Sequence, residues 1–191
     1  IITGPASIQA AVIESVLANG DLLIKGSNES IGNITISQAI SYTGPTIRNL
    51  TFGASTNSGD IDVNANLNVN ANITLNSSTT SMLSSATIST YTGTVLTYNI
   101  TLSSNYQFID GSITGAGSIL KTGINQLVFT SNNNTFSGGT TITGGKVQIG
   151  NTSSTGSLGT GNIVLTNSSN TLIFNRSGNY TFDNLISGAG R

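Results

Sequence analysis

The sequence predicts an all-β fold: a right-handed parallel β-helix (a solenoid) with one short N-terminal helix packed on its side. Between 60 and 75, apolar residues occupy every odd position from 61 onward, and polar residues, mostly asparagine, occupy the even ones. This period of two indicates strands with one buried face. A second observation is a recurrence, because Asn-Tyr-x-Phe, an aspartate and Ile-[Thr/Ser]-Gly-Ala-Gly occur at 105–117 and again at 179–190. A long recurrence of this kind is typical of a solenoid.

The composition agrees with a turn-rich β protein that carries little charge. Among 191 residues, 6 are Lys or Arg, 7 are Asp or Glu, and 36% are hydrophobic, which is enough for a core. Threonine favours strands, whereas asparagine and serine favour turns. The net charge of −1 gives no reason to expect nucleic acid as a partner. No apolar run is long enough for membrane insertion of this segment, and the absence of cysteine excludes a disulfide scaffold.

The first predicted element is a helix over 7–18. Ser7 is placed to cap its start, and Asn19-Gly20 is a typical left-handed stop. An apolar face at helical spacing is formed by Ile8, Ala11, Val12 and Val16. We expect this face to pack against the side of the β body.

Short strands separated by turns follow the helix. They are predicted at 21–25, 33–37, 46–52, 60–75 (two or three strands turning corners), 86–89, 95–102, 126–129, 140–142, 146–149, 162–165 and 171–174. The dipeptides typical of tight hairpins are rare, so these strands read as rungs of about eight coils. The asparagines between 60 and 75 need stacked neighbours or water. In 146–149, Val147 and Ile149 should face inward, and Lys146 and Gln148 outward.

Residues 113–190 resemble the repeat found along the passenger regions of bacterial autotransporters, and the resemblance extends over about 105–191. The family pattern is Gly-x-Gly-x-Leu-x-Lys-x-Gly, an aliphatic strand, an Asn-x-[Tyr/Phe]-x-Gly turn, Thr-x-Ile and a second aliphatic strand. The matching positions, which we take as structural repeat positions, are Gly115, Gly117, Ile119, Lys121, Gly123, Asn134, Phe136, Gly138, Thr140, Ile142, Gly145, Val147 and Ile149, with Gly188 and Gly190 in the second copy.

The first half of the chain resembles the repeat region of filamentous-haemagglutinin-like exoproteins less tightly. The relevant segments are the helix, Ala39-Ile40-Ser41, and the two Gly-x-Ile-x-[Val/Ile] elements at 32–36 and 59–63. We therefore expect one continuous β-helical domain over 1–191, with haemagglutinin-like coils over 1–104 and autotransporter-type coils over 105–191. The chain is expected to be a fragment of a longer repeat array.

The sequence contains few candidate catalytic residues. There is no histidine or cysteine, which removes Ser-His-Asp and Cys-His catalysis. Asp60 and Asp62 are two apart and face the same side of a strand, so an acid/base pair or half of a Ca²⁺ site are alternatives to solvated charges. No segment carries the clustered acidic and basic residues of a polysaccharide lyase. We expect no catalytic, metal-binding or cofactor-binding residues, and no cofactor.

The resemblance implies a non-catalytic segment of a secreted or surface-displayed adhesin of a Gram-negative bacterium. The segment would act as a β-helical stalk or contact surface in cell adhesion and virulence, outside the cell or on its surface after export across the outer membrane. Its partner would be a host or cell-surface protein or glycan, and self-association is possible through the ends of the coil stack. The alternatives are a structural extracellular fibre or matrix protein that assembles through those ends, and a carbohydrate-active β-helix enzyme.

Overall fold

Three parallel sheets build the protein. The computed structural model describes residues 8–25, 33–53, 59–101 and 106–191. Within these ranges the sheets contain eight, seven and four strands, and all strand pairs are parallel. The predicted parallel β-helix is thereby confirmed as a parallel β-solenoid. Its right-handed sense stays a prediction that follows from the handedness of parallel crossovers.

The elements, in chain order, are α1 (Ala10–Asn19), β1 (Leu22–Ile24), β2 (Ile34–Ile36), β3 (Ile40–Tyr42), β4 (Arg48–Phe52), β5 (Ile61–Val63), β6 (Leu67–Val69), β7 (Ala71–Ser77), β8 (Thr80–Met82), β9 (Thr87–Thr90), β10 (Val95–Ile100), β11 (Tyr106–Ile109), β12 (Ser112–Gly115), β13 (Ser118–Thr122), β14 (Gln126–Phe129), β15 (Thr140–Ile142), β16 (Lys146–Ile149), β17 (Ile163–Leu165), β18 (Thr171–Phe174) and β19 (Ile186–Gly188). The strands at 126–129, 140–142, 146–149 and 171–174 match the predicted bounds. Leu102, in the predicted strand 95–102, lies outside the described residues.

The chain visits the three sheets in rotation up to β12, and from β13 onward its strands alternate between the first two sheets. Sheet A has the order β1-β4-β7-β10-β13-β15-β17-β19, sheet B the order β2-β5-β8-β11-β14-β16-β18, and sheet C the order β3-β6-β9-β12. Leu50 pairs with Ile73, Ile73 with Leu96, and Leu96 with Ile119, so these coils are each 23 residues long. Sheets A and B both continue across position 104, because β10 pairs with β13 and β8 with β11. The division into 1–104 and 105–191 stays a prediction.

Alternating side chains fill the interior. In the region 60–75 the structure has three strands, β5, β6 and β7, and their odd-numbered residues are buried. Aliphatic side chains from successive coils stack in columns, since each strand is in register with the one above and below. The predicted corners within 60–75 are confirmed, and the apolar face lies in one continuous core.

Asparagine ladders cover part of the outer surface of sheet A. The Asn72 amide donates to Asn49 Oδ1 (3.0 Å) and accepts the Val95 N–H (3.0 Å). Farther along the same strands, Asn99 donates to Asn76 Oδ1 (2.9 Å), and the Thr122 hydroxyl donates to Asn99 Oδ1 (3.0 Å). The expectation that stacked neighbours satisfy the amides between 60 and 75 is confirmed for Asn66, Asn68, Asn70 and Asn72, whose side chains all bond to a neighbouring coil. Each ladder bond joins adjacent coils and so pins the coil register.

The helix differs from its prediction in its bounds and in its buried face. It spans Ala10–Asn19, its N-cap is Gln9 without a side-chain cap, and Ser7 lies outside the described residues. Gly20 is extended rather than left-handed (φ −179°), so the predicted left-handed stop is wrong. Ile13 and Leu17 are the buried residues, whereas Val12 is exposed. The predicted face was rotated because a helix rich in alanine and valine offers more than one apolar stripe.

The helix packs against the first coils of the solenoid, beside the edge of sheet C, which agrees with the expected helix on the side of the β body. Its main contact is β3, the edge strand of sheet C. The Ser41 N–H of that edge donates to Glu14 Oε1 (2.6 Å). Arg48 of β4 donates to the carbonyls of Leu17 (3.1 Å) and Ala18 (3.3 Å). The helix therefore takes the place of a sheet C strand, and these bonds satisfy part of the edge and the last helical turn.

The two copies of the recurrent motif are not equivalent in the structure. Ile113–Gly115 belongs to β12 in sheet C, whereas Ile186–Gly188 belongs to β19 in sheet A. Local geometry is nevertheless shared: Gly115 (φ +96°) and Gly188 (φ +103°) are left-handed, and a Cβ on either would lie about 2 Å from a carbonyl oxygen of the neighbouring coil. The motif therefore specifies a strand end whose backbone conformation only glycine tolerates. It does not specify which sheet the strand belongs to.

The register of β16 agrees with the prediction for three of its four residues. Val147 and Ile149 are buried and Lys146 is exposed, but Gln148 is also buried. Its side chain folds back over the outer face of sheet B, where Nε2 donates to the Gly150 carbonyl (2.7 Å) and Oε1 accepts from Gln126 Nε2 (2.7 Å). Strand alternation decides which way a side chain leaves the backbone, and here hydrogen bonding decides that an outward side chain is covered.

We predict that Ile149→Ala lowers the free energy of unfolding by roughly 2–5 kcal/mol, because it opens a cavity in the core column between Phe129 and Phe174. Gln148→Ala should cost about 1–3 kcal/mol, since it leaves buried polar partners unpaired. Urea unfolding measures both. Lys146→Ala is the matched exposed control and should stay within about 0.5 kcal/mol of the native chain. Equal stability of the Gln148 and Lys146 variants would contradict the covered outer face.

Candidate contact face

The repeat positions lie at the corners and in the interior of the coils. Ile119, Thr140, Ile142, Val147 and Ile149 are buried strand residues, as is Lys121, and Asn134 and Phe136 are buried in the segment between β14 and β15. The glycines lie where a Cβ would meet a neighbouring coil closely: Gly115, Gly117, Gly123, Gly138, Gly145, Gly188 and Gly190. Gly117 differs from Gly115 because it has no positive φ, and at this position a Cβ would instead meet the Thr90 and Thr94 side chains closely.

Lys121 is the unusual member of this set, because it points into the solenoid. It is fully buried and pairs in register with Tyr98 in one neighbouring coil and Ile142 in the other. Its Nζ donates to the carbonyl of Thr122, and also to those of Gly123 (3.0 Å) and Gly144 (3.3 Å). The first two carbonyls belong to its own corner and the third to the corner of the next coil. One ammonium group thus ties two successive corners together.

Burial makes this corner electrostatically costly. Desolvation lowers the pKa of Lys121 from its ordinary value near 10.5 to about 8. Desolvation also raises the pKa of the neighbouring Tyr98. The Tyr98 hydroxyl and the Asn125 amide are buried, and neither finds a hydrogen-bond partner within the described residues. The corner is therefore a polar spot in an otherwise apolar column, held by carbonyl groups rather than by a carboxylate.

Asn134 continues the third side of the solenoid beyond sheet C. Its Oδ1 accepts the Ile113 N–H (2.8 Å). Its Nδ2 donates to the carbonyls of Ser131 (3.2 Å) and Ser157 (2.9 Å). One buried amide thereby satisfies backbone groups of three coils where regular strands have stopped.

The outer face of sheet B differs from that of sheet A, because it exposes aromatic rings. Two outward columns run along it through successive coils: Asp60, Thr79, Tyr106, Gln126, Lys146 and Thr171 in one, and Asp62, Ser81, Phe108, Val128, Gln148 and Ile173 in the other. We call the part from Asp60 and Asp62 to Gln126 and Val128 the contact face. Tyr106 is 63% exposed and Phe108 is 36% exposed.

Asp60 and Asp62 lie at one end of the contact face, on the same side of the strand as predicted. The Thr79 hydroxyl donates to Asp60 Oδ1 (2.5 Å), and the Ser81 hydroxyl donates to Asp62 Oδ1. Both hydroxyls come from the next coil. The two carboxylates are therefore fixed by neighbouring coils and do not share a proton donor with one another.

The described residues contain no group of three or more Asp, Glu, His or Cys side chains that could hold a metal ion. In the same part of the chain, no helix has both the length and the apolar character needed to cross a bilayer. The contact face presents acceptor groups, aromatic rings and amides in register along successive coils. Such a surface suits binding.

Sequence reasoning quoted Tyr106 and Phe108 only as part of the recurrent motif and did not identify them as surface residues. Alternation could have shown it: if Ile109 fills the core, Gln107 must share its side, and the two aromatic residues must face outward. Gln107 is indeed buried, and its Oε1 accepts the Thr80 N–H (2.7 Å). The usual assumption that aromatic residues face the core hides this inverted strand.

A stack of parallel coils, in which each coil adds a strand to sheet A and a strand to sheet B, defines the protein as a repeat β-solenoid. Residues 119–149, from β13 to the end of β16, match the Passenger-associated-transport-repeat family. This segment contains the Lys121 corner, so the resemblance to autotransporter passenger repeats is confirmed there. The haemagglutinin-like resemblance of the first half is not confirmed and stays a prediction.

A curated relative agrees with the family match. Over 58 residues, or 30% of this chain, the sequence is 53% identical to the adhesin BmaC autotransporter of Brucella suis biovar 1 (strain 1330). The aligned stretch covers 2% of that relative's length. No solved structure matches the chain.

We predict that stability rises with pH near the Lys121 corner. Between the folded pKa of about 8 and the ordinary value near 10.5, the unfolded chain holds a proton that the folded chain has released, so the free energy of unfolding increases with pH. From pH 8 to about pH 9.5 the gain should be roughly 1.5 kcal/mol. Urea unfolding of the native chain and of Lys121→Met over this range measures it.

Lys121→Met retains an unbranched apolar stem and removes the titrating group, so its unfolding free energy should lack this rise. The range stops below pH 10 to keep the titration of tyrosine out of the comparison. The same pH dependence in both proteins would show that Lys121 is not the buried ammonium described here.

Proposed function

We propose that this chain is a non-catalytic segment of the passenger region of a bacterial adhesin, displayed on the cell surface or secreted. The match of residues 119–149 to a passenger-associated-transport repeat is the observation that carries the proposal. The relative with 53% identity over 58 residues is itself named as an adhesin autotransporter. Export across the outer membrane of a Gram-negative cell follows from the same assignment.

Within such a protein the segment serves as a contact surface borne on a stalk. Coil stacking supplies the stalk, because every coil is hydrogen-bonded to its neighbours and the interior is one core. The role as a contact surface is supported by the contact face, where the Tyr106 and Phe108 side chains are exposed on a strand of the coil stack. The partner we propose is a host or cell-surface protein or glycan.

A carbohydrate-active enzyme receives little support from the same residues. The chain contains no histidine, and Asp60 and Asp62 each accept a hydroxyl from a different residue of the next coil. In a glycosidase, one carboxyl group of the pair acts as the general acid and needs a raised pKa. Two carboxylates held as hydrogen-bond acceptors on an open surface suit ligand binding better than cleavage.

A self-assembling fibre is the second candidate function. Phe174 of β18 and Ile186 of β19 are 47% and 46% exposed on the outermost strands of sheets B and A. An open strand edge of this kind can pair with a further coil, whether that coil belongs to the same chain or to another copy. Growth of the sedimentation coefficient of the purified chain with concentration would favour the fibre, and a constant monomer value would favour the adhesin segment.

We expect the full-length protein that contains this chain to reach the surface of Gram-negative cells and to promote their attachment to host cells. The measurement is digestion of an epitope-tagged form by added protease on intact cells, together with attachment counts. Purified 191-residue chain should compete with attachment, because it presents the same contact surface. Heat-denatured chain is the control. Retention of the protein inside the cell, or attachment that does not depend on it, would contradict the proposal.

A further inference from the structure

The exposed aromatic pair on β11 stands apart from the other aromatic residues of the core. Phe52, Tyr98, Phe129 and Phe136 are fully or nearly fully buried, whereas Tyr106 and Phe108 leave the same strand on its outer side. A single exposed ring needs no explanation, but adjacent exposed rings on a flat strand form an apolar platform. Tyrosine adds a hydroxyl to that platform, which gives it both an apolar face and a polar tip.

The platform is supported on one side by a packed strip. Val128, next to Phe108 in register, is fully buried although it faces outward. Gln126 and Gln148 join by a hydrogen bond (2.7 Å) across the same strip. The rings therefore lie beside a packed surface.

Acceptor groups lie on the other side of the platform. Asp60 and Asp62 are two coils away from the rings, with Thr79 and Ser81 between them. Each carboxylate is oriented by one of these hydroxyls through a single oxygen. A carboxylate can accept several hydrogen bonds, so acceptor capacity remains on a group whose position is already fixed.

The charge of the contact face selects the kind of ligand. Two carboxylates lie at one end, and the aromatic rings carry no charge. The Gln126 amide offers both a donor and an acceptor, and the exposed Lys146 lies one coil beyond it. An anionic ligand would meet like charge at the aspartates. An uncharged ligand rich in hydroxyl donors, with apolar C–H surfaces that can lie on a ring, complements every group present. Sugars have this combination.

We propose that the contact face binds an uncharged oligosaccharide that lies along the stack of coils, a proposal that rests on the contact role given above. Its hydroxyls donate to Asp60 and Asp62, its C–H face packs on Tyr106 and Phe108, and Gln126 contacts the next ring. The columns from the aspartates to Gln126 span three coil steps, about 14 Å at the spacing of adjacent strands. That length suits an oligosaccharide better than a monosaccharide.

Titration calorimetry of the 191-residue chain tests this binding. The probes are cellotetraose, chitotetraose and lacto-N-neotetraose as uncharged oligosaccharides, and a heparin-derived tetrasaccharide as the anionic one. At least one uncharged probe should bind with one site per chain. Tyr106→Ala and Phe108→Ala should each weaken it by about fivefold to tenfold, and Asp60→Asn combined with Asp62→Asn should weaken it by a similar factor.

Matched variants separate binding from folding. Val12→Ala removes a side chain that is 48% exposed on α1, which packs against sheet C rather than sheet B, and should leave affinity unchanged. Tyr106→Phe keeps the ring and should retain most of the affinity. Circular dichroism and the thermal midpoint should be unchanged in all these surface variants. No binding of any uncharged probe, tighter binding of the anionic probe, or equal affinity of Tyr106→Ala and the native chain would each overturn the proposal.

The outcome is distinguishable from that of the proposed function. Attachment of cells without any oligosaccharide binding, or without an effect of Tyr106→Ala, would leave the adhesin assignment intact and overturn the glycan face. Binding accompanied by shortening of the oligosaccharide would support the glycan face and contradict the non-catalytic role.

Discussion

Stacking of each coil on the preceding one, in parallel register, is the interaction on which the rest of the structure depends. The register places like with like: Leu50, Ile73, Leu96 and Ile119 form one interior column. Because strands three to seven residues long could not stand alone, each gains its hydrogen bonds and its buried surface from neighbouring coils. The ladders of asparagine on the outside exist for the same reason, since an amide can bond to its counterpart only if both repeat in register.

The repeat motif is best understood as the chemistry of a corner. At a corner the backbone turns, its carbonyl groups lose their strand partners, and little room is left for side chains. The ammonium group of Lys121 donates to three of these carbonyl groups. A glycine such as Gly115 fits where there is no room for a side chain. A lysine in the interior would be costly without those partners. The similarity to a passenger-associated-transport repeat therefore coincides with a physical device, one that ties two coils together.

Period-two patterning predicted the fold well where one face is apolar throughout, as in 60–75. The pattern was less successful where a polar side chain is buried. Gln148 faces outward yet is buried, and Gln107 faces inward. Hydrogen bonds to groups far away in sequence decide both cases, and periodicity carries no information about them. The contact face was missed for a related reason. Tyr106 and Asp60 meet on one surface only because of the coil register, and a single sequence does not reveal which positions of successive coils align.

The same register predicts distances that can be measured directly. Thr51, Thr141 and Ser187 lie in one outward column of sheet A, with Thr141 four coils and Ser187 six coils beyond Thr51. Cysteines placed there can carry spin labels without competition, since the chain has no cysteine of its own. Pulsed electron paramagnetic resonance should give about 19 Å for Thr51 to Thr141 and about 29 Å for Thr51 to Ser187. Distances that do not increase with coil number would contradict the parallel stack.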